Sequence, residues 1–197
     1  MLSKFAVDMT LDRDSAHDSL DVSQDGRSVK SSWDDPSHEA HCPDPLASIL
    51  GSASFSAGRH YWQVDVADNP AWELGLCLET AQRKGLTSPG PQDGFWTLKL
   101  DRESGYFAST GTHLPLGAVV ERLAIYLDFE AGVITFYDAK RGTLICTFSA
   151  SFSGPLRPFF RPRLPYRGEN SVPLTLCSAT PSDSGDLSLQ DISGLEA

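Results

Sequence analysis

The sequence is built from short apolar runs that are separated by Gly, Pro, Asn and Asp. Within residues 61–66, Trp62, Val64 and Val66 fall on one side of an extended chain, because successive side chains of a strand point to opposite faces. No segment of ten or more residues carries the 3.6-residue apolar stripe of a surface helix. The pattern therefore predicts an all-β fold with little helix, in the form of a β-sandwich.

Eight runs are predicted to be strands. They span residues 61–66, 71–78, 95–100, 105–108, 123–129, 133–137, 143–148 and 173–177. Between the fifth and the sixth lies Glu130-Ala131-Gly132, a short connection whose glycine tolerates a positive φ. This segment is predicted to be a β-hairpin.

Three long polar stretches interrupt the runs, at residues 31–45, 80–94 and 161–171. Connections of that length inside a compact domain are more often functional than idle, so we expect binding residues there. Residues 179–197 are rich in Ser, Asp, Gly and Leu, with four acids and no base. Such a segment buries too little apolar area to offset its ordering entropy, and we expect a disordered acidic tail.

Composition narrows the class of protein. With 26 Asp and Glu against 16 Lys and Arg, the 197-residue chain has a net charge of −10, which disfavours general nucleic-acid binding. No run approaches the ~20 apolar residues of a membrane span, and the N-terminus lacks the apolar stretch of a signal peptide. We expect one domain and no membrane association.

The four cysteines form no C-x-x-C pair, and three of them, Cys77, Cys146 and Cys177, lie inside apolar runs. A reduced cysteine in such a run behaves as a small hydrophobe. We interpret them as free core thiols of a cytoplasmic protein rather than as a disulfide or zinc framework.

No catalytic motif is present: the chain contains no H-E-x-x-H, G-x-S-x-G, Walker or dinucleotide-binding pattern. We therefore expect neither enzymatic activity nor a cofactor. His38, His41 and Cys42 form the one cluster of metal-binding character and could hold zinc if an acid from another loop joined them. Surface histidines are the preferred interpretation.

A second class of function remains open for residues 157–167. This stretch contains the basic and aromatic residues Arg157, Phe159, Phe160, Arg161, Arg163, Tyr166 and Arg167. Taken alone, it could bind RNA by phosphate contacts and stacking. The acidic net charge and the expected burial of the two phenylalanines argue against that role.

Six motifs occur in a characteristic order. They are LDRDSAHDSLDVSQDGRSV (11–29), LGSASFSAGRHYWQVDV (50–66), WELGLC (72–77), GFWTLKL (94–100), LDFEAGVITFYD (127–138) and GPLRPFF (154–160). Together they resemble a PRY-SPRY domain over residues 7–178. The resemblance implies an N-terminal extension and PRY segment at 1–58 and a SPRY segment at 59–178, which form one folded unit followed by the tail.

The resemblance also implies a fold and a function. PRY-SPRY domains are bent sandwiches of two antiparallel sheets that recognise proteins. Many form the C-terminal part of tripartite-motif RING-type ubiquitin ligases, where they choose the substrate, often in innate immunity; others lie in butyrophilin cytoplasmic tails. We expect this chain to be a monomeric part of such a protein, with the RING domain and an oligomerising coiled coil outside it.

Most aromatic residues of the motifs are expected to be buried scaffold rather than ligand contacts. These are Trp62, Trp72, Trp96, Phe136, Phe159 and Phe160. Gly58, Gly75 and Gly132 are interpreted as requirements of backbone geometry.

Recognition is expected from loops held by the rigid scaffold. In relatives, the partner surface is built from connections that correspond here to residues 31–45, 82–93, 99–106 and 161–167, and we expect these to form one docking face. Lys99 and Asp101 stand where some relatives have aromatic residues, which favours a polar, charge-complementary epitope. The candidate partner-binding residues are Trp33, Lys99, Asp101, Arg102, Leu164, Tyr166 and Arg167.

Overall fold

The computed structural model describes residues 2–32, 47–86, 88–163 and 171–178. Over these ranges the chain forms fourteen strands. They are β1 (Leu11–Asp12), β2 (Leu20–Val22), β3 (Ser28–Ser31), β4 (Ile49–Gly51), β5 (Arg59–Asp65), β6 (Trp72–Leu78), β7 (Phe95–Asp101), β8 (Gly105–Ala108), β9 (His113–Leu114), β10 (Arg122–Asp128), β11 (Val133–Asp138), β12 (Thr143–Ser149), β13 (Leu156–Pro162) and β14 (Leu174–Leu176). The described helical segments are single 3₁₀ turns at Leu2–Phe5, Arg13–Ser15 and Pro91–Asp93.

The strands make two antiparallel sheets of seven. Sheet 1 has the order β1-β4-β13-β6-β7-β8-β9, and sheet 2 has the order β12-β11-β10-β5-β14-β3-β2. The predicted all-β sandwich with little helix is confirmed. Strands from the N-terminal segment enter both sheets, since Leu50 pairs with Phe159 in sheet 1 and Val29 pairs with Leu174 in sheet 2.

The main core lies between the sheets, where the inward side chains of alternating positions meet. All six aromatic residues predicted to be scaffold are buried. Phe159 differs from the others in its location, because it lies on the outer face of sheet 1. There it packs with Leu50, Cys77 and Phe95 in a separate cluster that the residues after β6 cover.

All eight predicted strands are present, with ends that differ by at most two residues from the prediction. The predicted hairpin is β10–β11, and Gly132 has a φ of +70°. The prediction that residues 161–171 form a loop is wrong at its beginning, because Arg161 and Pro162 belong to β13. Sequence patterns also missed β13 as a strand. They missed β1–β4 and β9 as well, which are two to four residues long and too short to show a period.

Cys77, Cys146 and Cys177 are free thiols, as predicted. Burial raises the pKa of Cys77 and of Cys146 to about 12, so both thiols are protonated at neutral pH. Cys42 lies outside the described residues, as do His38, His41 and the predicted tail at 179–197. Over the part of the chain that the structure describes, no three His, Cys, Asp or Glu side chains gather as a metal site, and no helix has the length or apolar character of a membrane span.

Candidate functional site

The β7–β8 connection and the described flanks of two other connections that the sequence marked for binding lie at one end of sheet 1. Trp72, the first residue of β6, pairs with Leu100 of β7 on one side and with Pro162 of β13 on the other. The chain therefore leaves β7 and β13 at the same end of the sheet. Just beyond β13, the backbone N–H of Arg163 donates to the carbonyl of Ala71 at 3.3 Å.

The flanks of the other connections come to this end as well. The side-chain amide of Asn69 donates to the carbonyl of Val172 at 2.8 Å, which ties the β5–β6 connection to the residues before β14. Ile49 at the start of β4 pairs with Phe160 near the end of β13. Hence residues 47–48, 163 and 171–172, which flank the segments 33–46 and 164–170, lie at one end of the sandwich.

Residues 82–93 begin elsewhere, because they connect the far end of β6 to the start of β7. This segment is folded back over the outer face of sheet 1. The Arg83 guanidinium donates to the Ser48 hydroxyl oxygen at 3.0 Å and to the Ser15 carbonyl at 2.9 Å. These hydrogen bonds hold the connection against the residues before β4. No pattern in the sequence predicted them.

The β7–β8 turn is ordered by Asp101. Its carboxylate accepts from the backbone N–H groups of Glu103 and Ser104, both at 3.1 Å, and lies 3.9 Å from the Arg163 guanidinium. Partial burial acts to raise the pKa of Asp101, but the two hydrogen bonds and the Arg163 charge outweigh it, and the pKa lies below its ordinary value. Asp101 thus connects the β7–β8 turn to the segment after β13.

A line of five side chains crosses the outer face of sheet 1 beside this turn. The strand register places in one row Arg161 (β13), Glu73 (β6), Lys99 (β7), Phe107 (β8) and His113 (β9). We call this set the outer row. Glu73 and Arg161 form a buried ion pair, and the Thr97 hydroxyl donates to the second Glu73 oxygen at 2.6 Å.

Three predicted binding residues, Lys99, Asp101 and Arg102, are brought together on the β7–β8 hairpin. Four others lie outside the described residues: Trp33, Leu164, Tyr166 and Arg167. Sequence reasoning missed Phe107 and His113 as site residues. The alternation of a strand puts Phe107 and Tyr106 on opposite faces of β8. It does not show which of these faces packs against the core and which faces solvent.

The arginines of residues 157–163 are occupied by acids of the same domain. Arg157 is 14% exposed, and it pairs with Asp12 at 3.1 Å and with Glu79 at 3.5 Å. Arg161 is buried against Glu73. Their charges are largely neutralised inside the fold.

Comparison with known proteins identifies the family. The SPRY domain model matches residues 59–175. The chain belongs to the SPRY domain family. Its PRY-SPRY arrangement is like that of the tripartite-motif ubiquitin ligases, and such a domain is a protein-interaction module rather than a catalytic one.

Two curated relatives show how far the similarity of this PRY-SPRY domain extends. Human erythroid membrane-associated protein is 42% identical over 180 residues, which are 87% of this chain and 37% of that protein. Mouse E3 ubiquitin-protein ligase TRIM21 is 41% identical over 183 residues, which are 90% of this chain and 39% of that protein. The chain therefore spans about two fifths of the length of these relatives.

A solved structure agrees with the fold. The crystal structure of the TRIM65 PSpry domain superposes with a TM-score of 0.69 at 27% sequence identity. The match covers 89% of this chain and 92% of that one. The similarity thus extends over almost the whole of an independently solved domain.

Proposed function

We propose that this PRY-SPRY domain recruits the target of a RING-type E3 ubiquitin ligase by binding it at the end of sheet 1 where β7, β13 and the flanks of two long connections meet. The relationship to TRIM21, which is named as an E3 ubiquitin-protein ligase, supports this role. The convergence of these segments on a rigid sheet end carries the proposal, because loops fixed by a scaffold form a surface that can vary without unfolding the domain.

In this proposal the contact residues are those of the β7–β8 hairpin and of the two neighbouring connections. They are Trp33, Lys99, Asp101, Arg102, Leu164, Tyr166 and Arg167. Charged residues on the hairpin favour a polar, charge-complementary epitope. The anchors are Trp33, Arg102, Tyr166 and Arg167.

Further parts of the role are inferred from the ligase relatives. We infer that the RING domain and an oligomerising coiled coil lie in the rest of the parent protein, and that the isolated domain is a monomer without cofactor. We also infer a cytoplasmic location and a role in innate immune signalling.

An RNA-binding role for residues 157–167 has less support. Phe159 and Phe160 are buried, so their rings do not reach a base, and Arg157 and Arg161 are paired with carboxylates. RNA retention on a filter that falls steeply with salt would argue for that role instead.

The test is a crosslinking pull-down from cell lysate with the wild-type domain and with a Trp33→Ala, Arg167→Ala double variant. Proteins captured through the proposed face should be depleted at least about tenfold with the variant, since anchor residues of this type dominate interface energies. A matched double variant on sheet 2, Arg59→Ala with Lys140→Ala, should capture the same proteins as wild type. Equal capture by all three domains, at matching melting temperatures, would contradict the proposed face.

A further inference from the structure

The outer row contains one basic side chain without a carboxylate partner in the described part of the chain. Lys99 lies directly between Glu73 and Phe107 in the register of the sheet. The two Glu73 oxygens are occupied by Thr97 and Arg161, and no ion pair joins them to Lys99. The Lys99 ammonium instead lies 5.6 Å from the centre of the Phe107 ring.

Phe107 is held between two polar groups and stays partly exposed. Its ring centre lies 5.1 Å from that of His113, with the ring planes at 62°. Phe107 belongs to the outward positions of β8, whereas Tyr106 and Ala108 face the core. A half-buried aromatic ring with a cation beside it and an imidazole on its other side is thus displayed on the sheet surface.

The nearby acid does not neutralise Lys99. Asp101 follows two residues later on the same face of β7, but its carboxylate accepts from the turn at Glu103 and Ser104 and lies near Arg163. On a chain with a net charge of −10, Lys99 is therefore a positive site whose neighbouring carboxylates are already occupied.

We propose that Lys99, Phe107 and His113 form an anchor for an acidic residue that adjoins a bulky apolar residue in an extended segment of the protein partner. The carboxylate binds the Lys99 ammonium, and the apolar side chain covers the Phe107 ring beside the His113 imidazole. Charge complementarity with Lys99 favours the acidic residue of the partner, and the partly exposed Phe107 ring favours the bulky apolar residue next to it. This inference rests on the proposed function and assigns the chemistry of its target.

The test is selection of peptides from a random twelve-residue display library, followed by calorimetric titration of the enriched peptides. Wild-type domain should enrich peptides with Asp or Glu next to Leu, Ile, Phe or Trp. Lys99→Glu and Phe107→Ala should each weaken their binding at least about tenfold. Lys99→Met is included because it retains the aliphatic stem without the charge, and it should weaken acidic peptides while leaving their Asp→Asn or Glu→Gln versions unaffected.

A matched control lies on the opposite side of the molecule, where the Lys4 ammonium is 5.1 Å from the Phe5 ring centre. Lys4→Glu should leave peptide binding unchanged. The anchor would be overturned if the enriched peptides bound Lys99→Glu as tightly as wild type, or if the enriched motif contained no acidic residue. In either case the lysate pull-down could still support the docking face. Failure to enrich any peptide also overturns it, and the lysate pull-down then decides separately whether the docking face binds a protein.

Discussion

At the scale of single residues, the most consequential polar contact is the Glu73–Arg161 pair. Glu73 stands between Arg161 and Lys99 in the register, yet it is ion-paired with the arginine. The side chains of the pair are 4% and 6% exposed, and the Thr97 hydroxyl satisfies a further carboxylate oxygen. A buried charge is tolerated only when it is paired and hydrogen-bonded, so each partner depends on the other.

Replacing Glu73 by Gln should lower the free energy of unfolding by about 3–5 kcal/mol, because the buried Arg161 guanidinium then loses the Glu73 charge. The measurement is urea denaturation followed by tryptophan fluorescence. A double variant with Met at both positions should recover much of the loss, since an apolar pair of similar volume leaves no buried charge unpaired.

The control is Glu79→Gln, which removes a half-exposed partner of Arg157 and should cost no more than about 1 kcal/mol. Equal destabilisation by the Glu73 and Glu79 variants would show that the buried pair is not important for stability.

At the scale of elements, the β10–β11 hairpin depends on its turn glycine. Gly132 has a φ of +70°, and a Cβ added there would lie 1.9 Å from the carbonyl oxygen of Ala150. The same glycine accepts a hydrogen bond from the Ala150 N–H at 2.8 Å, which connects the turn to the chain after β12. Two separate restraints, backbone conformation and close approach, therefore select glycine.

Gly132→Ala should destabilise the domain by more than about 1 kcal/mol, since the left-handed conformation and the contact with Ala150 are both incompatible with a side chain. Thermal unfolding monitored by circular dichroism measures the change. Gly117→Ala serves as the control: a Cβ there meets nothing within 4 Å and the φ is not positive, so its melting temperature should stay at or above that of wild type. A Gly132 variant as stable as the Gly117 variant would contradict this explanation.

At the scale of the whole molecule, the N-terminal and C-terminal segments are interleaved. β4 lies between β1 and β13 in sheet 1, and β3 lies between β14 and β2 in sheet 2. Removing the N-terminal strands would leave β13 and β14 each with an unpaired edge. We therefore expect the PRY segment at 1–58 and the SPRY segment at 59–178 to fold as one unit, although they are separate stretches of the sequence.

Thermal unfolding should accordingly show one transition that coincides for circular dichroism and tryptophan fluorescence, because Trp62 reports on sheet 2 and Trp72 on sheet 1. Val29→Ala in β3 removes two buried methyl groups and should lower the free energy of unfolding by about 1.5 kcal/mol. The circular dichroism and fluorescence transitions should shift together to lower temperature. Two separate transitions, or a shift seen by one probe alone, would show that the segments fold independently.

Some features of the candidate site could be predicted from the local sequence, whereas others depend on contacts between residues that are distant in sequence. The resemblance to relatives selected Lys99 and Asp101, and the predicted strands at 95–100 and 105–108 placed Lys99, Asp101 and Arg102 beside one short connection, because local spacing determines which residues a tight connection brings together. The pairing of Asp101 with Arg163 and the return of Arg83 to Ser15 and Ser48 join residues that are far apart in sequence. No local period carries that information.

The sequence by itself determined eight of the fourteen described strands, the Gly132 turn and the buried aromatic residues, because each follows from a repeat of two or from the steric demands of a single residue. The tertiary structure alone decided that Arg161 is buried in β13 and that Arg161, Glu73, Lys99, Phe107 and His113 share a row. The physical reason is that a row across a sheet depends on the register of five strands drawn from distant parts of the chain, and register is set by the packing of the whole sandwich.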